Sequence, residues 1–324
     1  MAPNYLSIEG ISRHQASLVA GAIALLFIGG AVGWYLHAPL PTTKTVRESG
    51  YTYISPILFC NLNNLPQNED AVLVSLIKKY LAKTPDIDAG VYYLNPTMGK
   101  WAGVNENESF SPASMLKVPI MTALLRSSEI RPGLLSRQVY YNGAQDDNAQ
   151  ESIKPEVPLQ PGSYTVSELI HSMIVYSDNN ATRLLTKQLT PTEFDSIYTD
   201  LGIAAPSQNG PVDFMSPKTF ALFLRVLYNG TYLSRENSER ALSEMAQSAF
   251  LPGLRAGVPA GTTVAAKFGE RLAAHAPTEL HDCGIVYLKD STYMLCVMTR
   301  GTDESALATE ISSISKLVYD YVTR

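Results

Sequence analysis

Phe110-Ser111-Pro112-Ala113-Ser114-Met115-Leu116-Lys117 is the stretch on which the fold is decided. Ser111 and Pro112 read as a helix start, a capping hydroxyl followed by a first-turn proline. Ser114 and Lys117 then stand at i and i+3, on one helical face. A hydroxyl and an amine so placed make a nucleophile and its base, provided burial or a nearby cation keeps the amine neutral. The helix N-terminus adds a positive field where negative charge would develop. Taken alone, S-x-x-K describes a capped surface helix equally well. Two further segments change that. Tyr176-Ser177-Asp178-Asn179-Asn180-Ala181 falls between two helical patterns, where a plain turn with an Asn cap is the simpler reading. Ala266-Lys267-Phe268-Gly269-Glu270 closes a strand-like run.

In this order and context, Ser114-x-x-Lys117, Ser177-Asp178-Asn179 and Lys267-x-Gly269 resemble the three motifs of class A β-lactamases and related penicillin-interacting serine enzymes. The resemblance runs from about Asp70 to Arg324 and includes PGSYTVSELIHSMIVYSDNNATRLL and LPGLRAGVPAGTTVAAKFGE. It implies an α+β fold, an antiparallel sheet with flanking helices plus a helical subdomain. It also implies roles. Ser114 would be the nucleophile and Lys117 its proton-transfer partner. Ser177 would relay a proton to the leaving nitrogen, Asn179 would hold Lys117 and the substrate, and Lys267 would place positive charge near both. Gly269, Glu270 and Arg271 would line the substrate site, with the backbone N–H groups of Ser114 and Glu270 as the oxyanion hole. Each such donor typically contributes ~3 kcal/mol. The implied substrate is a β-lactam or a peptidoglycan stem peptide, with no metal or organic cofactor.

Two departures bear on activity. Enzymes of that class carry E-x-x-L-N in a loop after the S-D-N helices, its glutamate activating the deacylating water. Here the stretch is GIAAPSQNGPVDFM, residues 202–215, with Asp213 as its sole carboxylate. Asp213 would have to lie within hydrogen-bond reach of that water to substitute. Without such a base the acyl-enzyme would form and hydrolyse slowly, which is penicillin-binding behaviour. Phe268 stands where the family usually has Thr or Ser, so a hydroxyl that helps bind the substrate carboxylate is missing. Either recognition differs, or Arg271 takes over, or Phe268 is simply a packed strand aromatic.

Around the motifs, a helix is expected over Glu69–Ala82 with Asn68 as cap, then a hairpin of Ile87–Leu94 and Lys100–Val104. Thr165…Glu168 and Thr190…Glu193 are capping boxes, and Ser216-Pro217 starts a helix through Tyr228. Thr263–Phe268, Gly284–Leu288 and Tyr293–Thr299 read as strands, and Glu304–Val322 as an amphipathic helix. The acidic segment around Asp146-Asp147 reads as an exposed loop that would edge the cleft. His275, Glu279, His281, Asp282 and Cys283 lack metal-ligand spacing and read as a polar loop on the site's rim. Cys283 and Cys296 fall on adjacent strands, leaving a disulfide and two buried thiols both open.

The whole chain has 324 residues, 45% hydrophobic and 17% charged, which excludes wholesale disorder. A net charge of -5 without basic runs excludes a dedicated nucleic-acid binder. Three cysteines are too few for a disulfide scaffold. Ala16–Tyr35 carries no charge and is long enough to span a bilayer. It exceeds a signal-peptide core and no A-x-A site follows, so an uncleaved anchor is expected. The organisation read from this is a short cytoplasmic segment at 1–15, an anchor at 16–36, a Pro/Thr-rich linker at 37–56 and the hydrolase domain at 57–324. The flanking charges, Arg13 before and Lys44 and Arg47 after, lean weakly against an outside domain. Wall chemistry outweighs them, and a single-pass cell-membrane protein with an extracytoplasmic domain is the expectation. Three functions stay open: a serine β-lactamase, a D-Ala-D-Ala peptidase or penicillin-binding protein, and a catalytically weak wall-binding module.

Overall fold

In a computed structural model, the turn Asn95–Gly99 folds strand β4 (Asp88–Asn95) back on β5 (Lys100–Val104), with the Asn95 side chain accepting from Thr97 N and Met98 N. The structure describes Ile23, Leu25 and residues 46–59, 68–207, 209–272, 277–289 and 291–324. The chain divides into two compact units, Met1–Lys44 and Thr45–Arg324, and the second holds the sheet and its helices. Apart from Ile23 and Leu25 the expected anchor lies outside the described residues, as do residues 1–15, the first part of the linker at 37–45, Cys60 and His275. Among the described residues no helix is long and apolar enough to cross a membrane.

Short strands β1 (Val46–Arg47) and β2 (Ile57–Phe59) pair with each other, and β3 (Asn68–Glu69) joins the main sheet. Helix α1 (Ala71–Leu81) is capped by Asp70, whose side chain accepts from Leu73 N, and not by the expected Asn68. A 3-10 turn, Ala113–Leu116, leads into α2 (Lys117–Ile130), and β6 (Gln138–Tyr141) pairs with β7 (Gly162–Thr165). The helical side continues with α3 (Val166–Val175), α4 (Asn179–Thr186), α5 (Pro191–Asp200), α6 (Pro217–Tyr228) and α7 (Arg235–Ala246). Both expected capping boxes form, at Thr165 and Thr190. The chain returns through β8 (Thr263–Arg271), β9 (Thr278–Tyr287) and β10 (Tyr293–Gly301) to α8 (Glu304–Val322). The last three strands are longer than their apolar runs suggested.

The six-stranded sheet runs β3-β5-β4-β10-β9-β8, antiparallel apart from the β3–β5 pair. Both faces are covered, so each strand splits its side chains by the period of two. Val91, Leu295 and Val297 pack towards α1 and α8 with Leu73, Ile77, Ile311 and Ile314. Tyr92, Leu94, Met294 and Met298 pack towards the helical side with Met121, Phe220 and Phe223. This α+β architecture matches the expectation and puts β8 at the sheet edge, beside the 3-10 turn.

Glu279–Cys283 is not the polar loop that composition suggested. It is the interior of β9, with Glu279 and His281 fully buried. Burial is tolerated because the charge is paired: Arg300 Nε donates to Glu279 Oε1 at 2.8 Å, and His281 Nε2 contacts Ser111 O at 2.9 Å. Cys283 and Cys296 face each other across β9 and β10 and form a disulfide.

Candidate active site

Ser114 lies in the 3-10 turn and Lys117 is the first residue of α2. Ser111 does not cap this helix. Its N–H donates to Glu279 Oε2 at 3.1 Å, pinning the turn to the sheet instead. Ala113, just before Ser114, has φ 46, and Ser177 has φ 57. Left-handed backbone at a non-glycine costs about 1–3 kcal/mol and persists only where its surroundings hold it. For Ser177 the holding group is Asp178, fully buried, which caps α4 through Ala181 N at 2.8 Å and accepts from Asn148 Nδ2 and Leu159 N.

The side chains converge on Lys117. Its Nζ lies 2.8 Å from Ser114 Oγ, 3.0 Å from Ser177 Oγ, 2.7 Å from Ser177 O and 2.6 Å from Asn179 Oδ1. Lys267 Nζ, from β8, donates to the same Ser177 Oγ at 2.9 Å and to Phe268 O at 3.0 Å. The five residues read as catalytic from the motifs are thus one hydrogen-bonded cluster.

Burial sets its electrostatics. Lys117 is brought down to about 7, desolvation outweighing the opposing pull of Glu151, Asp178 and Glu270. Lys267, fully enclosed, is lowered well below the usual lysine value by burial and then by the Lys117 charge. Two amines sharing one hydroxyl in a dry site cannot both stay charged, and each weakens the other's hold on a proton.

Gly269 explains how β8 comes so close. A Cβ there would lie 2.7 Å from Pro112 O and 2.9 Å from Met115 Cγ, so only glycine lets the strand pass the turn that carries Ser114. The Glu270 carboxylate faces the loop 142–161, accepting from Ser152 N and Ile153 N. Burial raises its affinity for a proton, against those two bonds. Arg271 turns to Asp213 and Glu279, at 3.5 and 3.7 Å.

A family model described as the beta-lactamase enzyme family matches residues 72–322. The chain belongs to that family. A curated relative, Beta-lactamase FAR-1 of Nocardia farcinica (strain IFM 10152), is 30% identical over 196 residues, a match covering 56% of this chain and 61% of that protein's length. Among solved structures, that of a mutant PBP-A, an acyl-enzyme complex with penicillin G, superposes with a TM-score of 0.66 at 23% identity, covering 79% of this chain and 98% of the other. The TLA-3 extended-spectrum beta-lactamase gives 0.68 at 21% identity, covering 78% and 99%. Both of these likenesses are of fold.

Against the β-lactamase pattern, two positions stand out. Phe268 stacks on Phe250, ring centroids 4.2 Å apart, and its ring centroid lies 4.0 Å from Lys267 Nζ. An aromatic face thus covers the amine where the family usually carries a hydroxyl. In the loop 202–215, Asp213 has its oxygens occupied by Arg300 at 3.1 Å and Arg271 at 3.5 Å. Arg271 is correspondingly committed to carboxylates of its own chain.

Motif reading missed Glu151. Its Oε1 accepts from Asn179 Nδ2 at 2.8 Å, which brings a carboxylate into the cluster from the loop expected to edge the cleft. The acidic composition of that loop was the available signal. Among the described residues no group of His, Cys, Asp and Glu is arranged to hold a metal ion.

Proposed function

We propose that this chain is a membrane-anchored serine acyl-enzyme former acting on β-lactams or related cell-wall amides. The observation that carries this reading is the Lys117 amine, buried, brought down to about 7 and 2.8 Å from Ser114 Oγ. A neutral amine at that distance accepts the hydroxyl proton. Ser114 Oγ then bonds to the carbonyl carbon, and the oxyanion is taken by the backbone N–H groups of Ser114 and Glu270. As the C–N bond breaks, the leaving nitrogen takes a proton from Ser177 Oγ, which regains one from the lysines on either side. Water later cleaves the ester and returns Ser114. Family membership supports the reaction class, and the PBP-A complex with penicillin G supports the substrate class.

A specific observation favours slow deacylation, the penicillin-binding or D-Ala-D-Ala peptidase reading, over a resistance enzyme. The loop 202–215 offers Asp213 alone as a carboxylate, and two guanidiniums hold it. The uncharged run Ala16–Tyr35 supports single-pass anchoring. The Cys283–Cys296 disulfide supports an oxidising compartment for the domain.

The test is time-resolved intact mass of the full chain with benzylpenicillin, beside Ser114→Ala. A lasting adduct on the native chain only is the expected result. A transient adduct with drug consumed would mean a β-lactamase, and no adduct would turn the reading towards a wall-binding module.

A further inference from the structure

The Asn179 amide is held from two sides. Its Oδ1 accepts from Lys117 Nζ at 2.6 Å, while Nδ2 donates to Glu151 Oε1 at 2.8 Å and to Asp147 O at 3.3 Å. A primary amide has two nearly isosteric ends, so something must decide which end faces the lysine. Turned over, Oδ1 would face a carboxylate and a carbonyl, three acceptors without a proton between them. Glu151, the nearer of the two acceptors, therefore fixes the rotamer together with Asp147 O.

Glu151 is itself built in. Three residues before it, Asn148 accepts from Asn179 N at 2.7 Å and donates to Asp178, while Asp147 N donates to Asn180 Oδ1 at 2.9 Å. Directly after it, Ser152 and Ile153 donate to the Glu270 carboxylate on β8. The segment is thus tied to the helical side and to the sheet edge, with Glu151 between the ties.

We propose that Glu151 is a positioning residue for the Ser114–Lys117 pair, orienting the Asn179 amide and bringing to the cluster the negative charge that the loop 202–215 does not supply. It acts through Asn179 and not on the substrate. The charged groups acting on the Lys117 amine are Glu151, Asp178 and Glu270, each favouring its protonated form, while Lys267 meets it at Ser177 Oγ and is itself lowered by the Lys117 charge. Among the carboxylates Glu151 leads, and it acts on Lys267 as well. Burial alone would push Lys117 further down and make it a weaker base. Glu151 offsets part of that.

This inference rests on the acylation reading, and two measurements on the full chain keep their failures apart. The first is carbon-detected NMR titration of Lys117 with 13C-labelled lysine, which needs no substrate. Glu151→Gln keeps an acceptor for Asn179 but removes the charge. The Lys117 midpoint should fall by about one pH unit, the size a neighbouring opposite charge ordinarily produces. Glu151→Asp should recover part of it. The second is the pH profile of benzylpenicillin acylation, whose acid limb should move down by the same amount. Glu151→Ala should in addition slow acylation at every pH, because the Asn179 amide nitrogen is then left with the longer bond to Asp147 O alone.

Identical Lys117 titrations in the native chain and Glu151→Gln would overturn the proposal, even if Glu151→Ala lowered the melting temperature. A shifted titration without acylation in any variant would support Glu151's role and refute the reaction assigned to Ser114.

Discussion

Gly269 leaves no room for a side chain beside Pro112: a Cβ at 269 would lie 2.7 Å from the Pro112 carbonyl oxygen. The obstacle is backbone, which does not swing aside as a side chain does. Gly269→Ala should therefore displace β8 from the turn that carries Ser114, cost about 1–3 kcal/mol of stability as overpacking does, and slow acylation at least about tenfold. Melting temperature and stopped-flow acylation check the two parts. An alanine variant with native acylation would show that the turn, not the strand, sets the oxyanion geometry.

The second prediction concerns pH. Below about 7 the Lys117 ammonium cannot take the Ser114 proton, so acylation should fall about tenfold per unit towards acid and level off above neutrality. The linked stability effect has the opposite origin but the same sign. Lys117 is depressed in the fold and ordinary, about 10.4, when unfolded. Between those values the unfolded chain binds the extra proton, so this group's contribution to stability rises with pH across that window. Acylation with a midpoint near 10 would remove Lys117 as the base.

Phe268→Thr restores a hydroxyl but removes the ring between Lys267 and its surroundings. The lost stacking on Phe250 and the cavity left behind should cost about 3 kcal/mol. With water nearer the amine, Lys267 should titrate higher than in the native chain. Chemical denaturation and lysine NMR read these separately. Unchanged Lys267 titration would mean that the ring packs without shielding.

Arg300→Ala should be among the most damaging changes outside the cluster. Arg300 bonds Glu279, Asp213 and the Ser109 carbonyl, and Glu279 is fully buried. Removing one partner of such a pair typically costs about 3–5 kcal/mol. The double variant Arg300→Leu with Glu279→Leu should recover part of the loss, which equilibrium unfolding in urea would measure.

The fold's legibility tracks how local each signal is. Thr165 with Glu168, and Thr190 with Glu193, satisfy each other within one turn, so spacing alone reveals them. Asn68 and Asp70 are both competent caps, and the choice between them is tertiary: Tyr321, from the last helix, bonds the Asp70 carboxylate at 2.8 Å. Glu279 and His281 read as surface residues because their partners, Arg300 and Ser111, are remote in sequence. Ser114 with Lys117 was legible as a pair from its spacing. Glu151 was not, since nothing local says that an acidic loop closes onto Asn179.

The strand order has a temporal meaning as well. β4 finds its partner in β10, with Gly90 opposite Met298, so the whole helical region is threaded between two neighbours of one sheet. Such non-local pairing makes folding slow, and a chain emerging from the ribosome cannot close its sheet until its last strands are made. Until then Lys117 is wet and protonated, and Lys267 is nowhere near Ser177. On the proposed mechanism, an unfinished or C-terminally truncated chain would carry an unreactive Ser114, and acylating power would arise only once the last strands are in place.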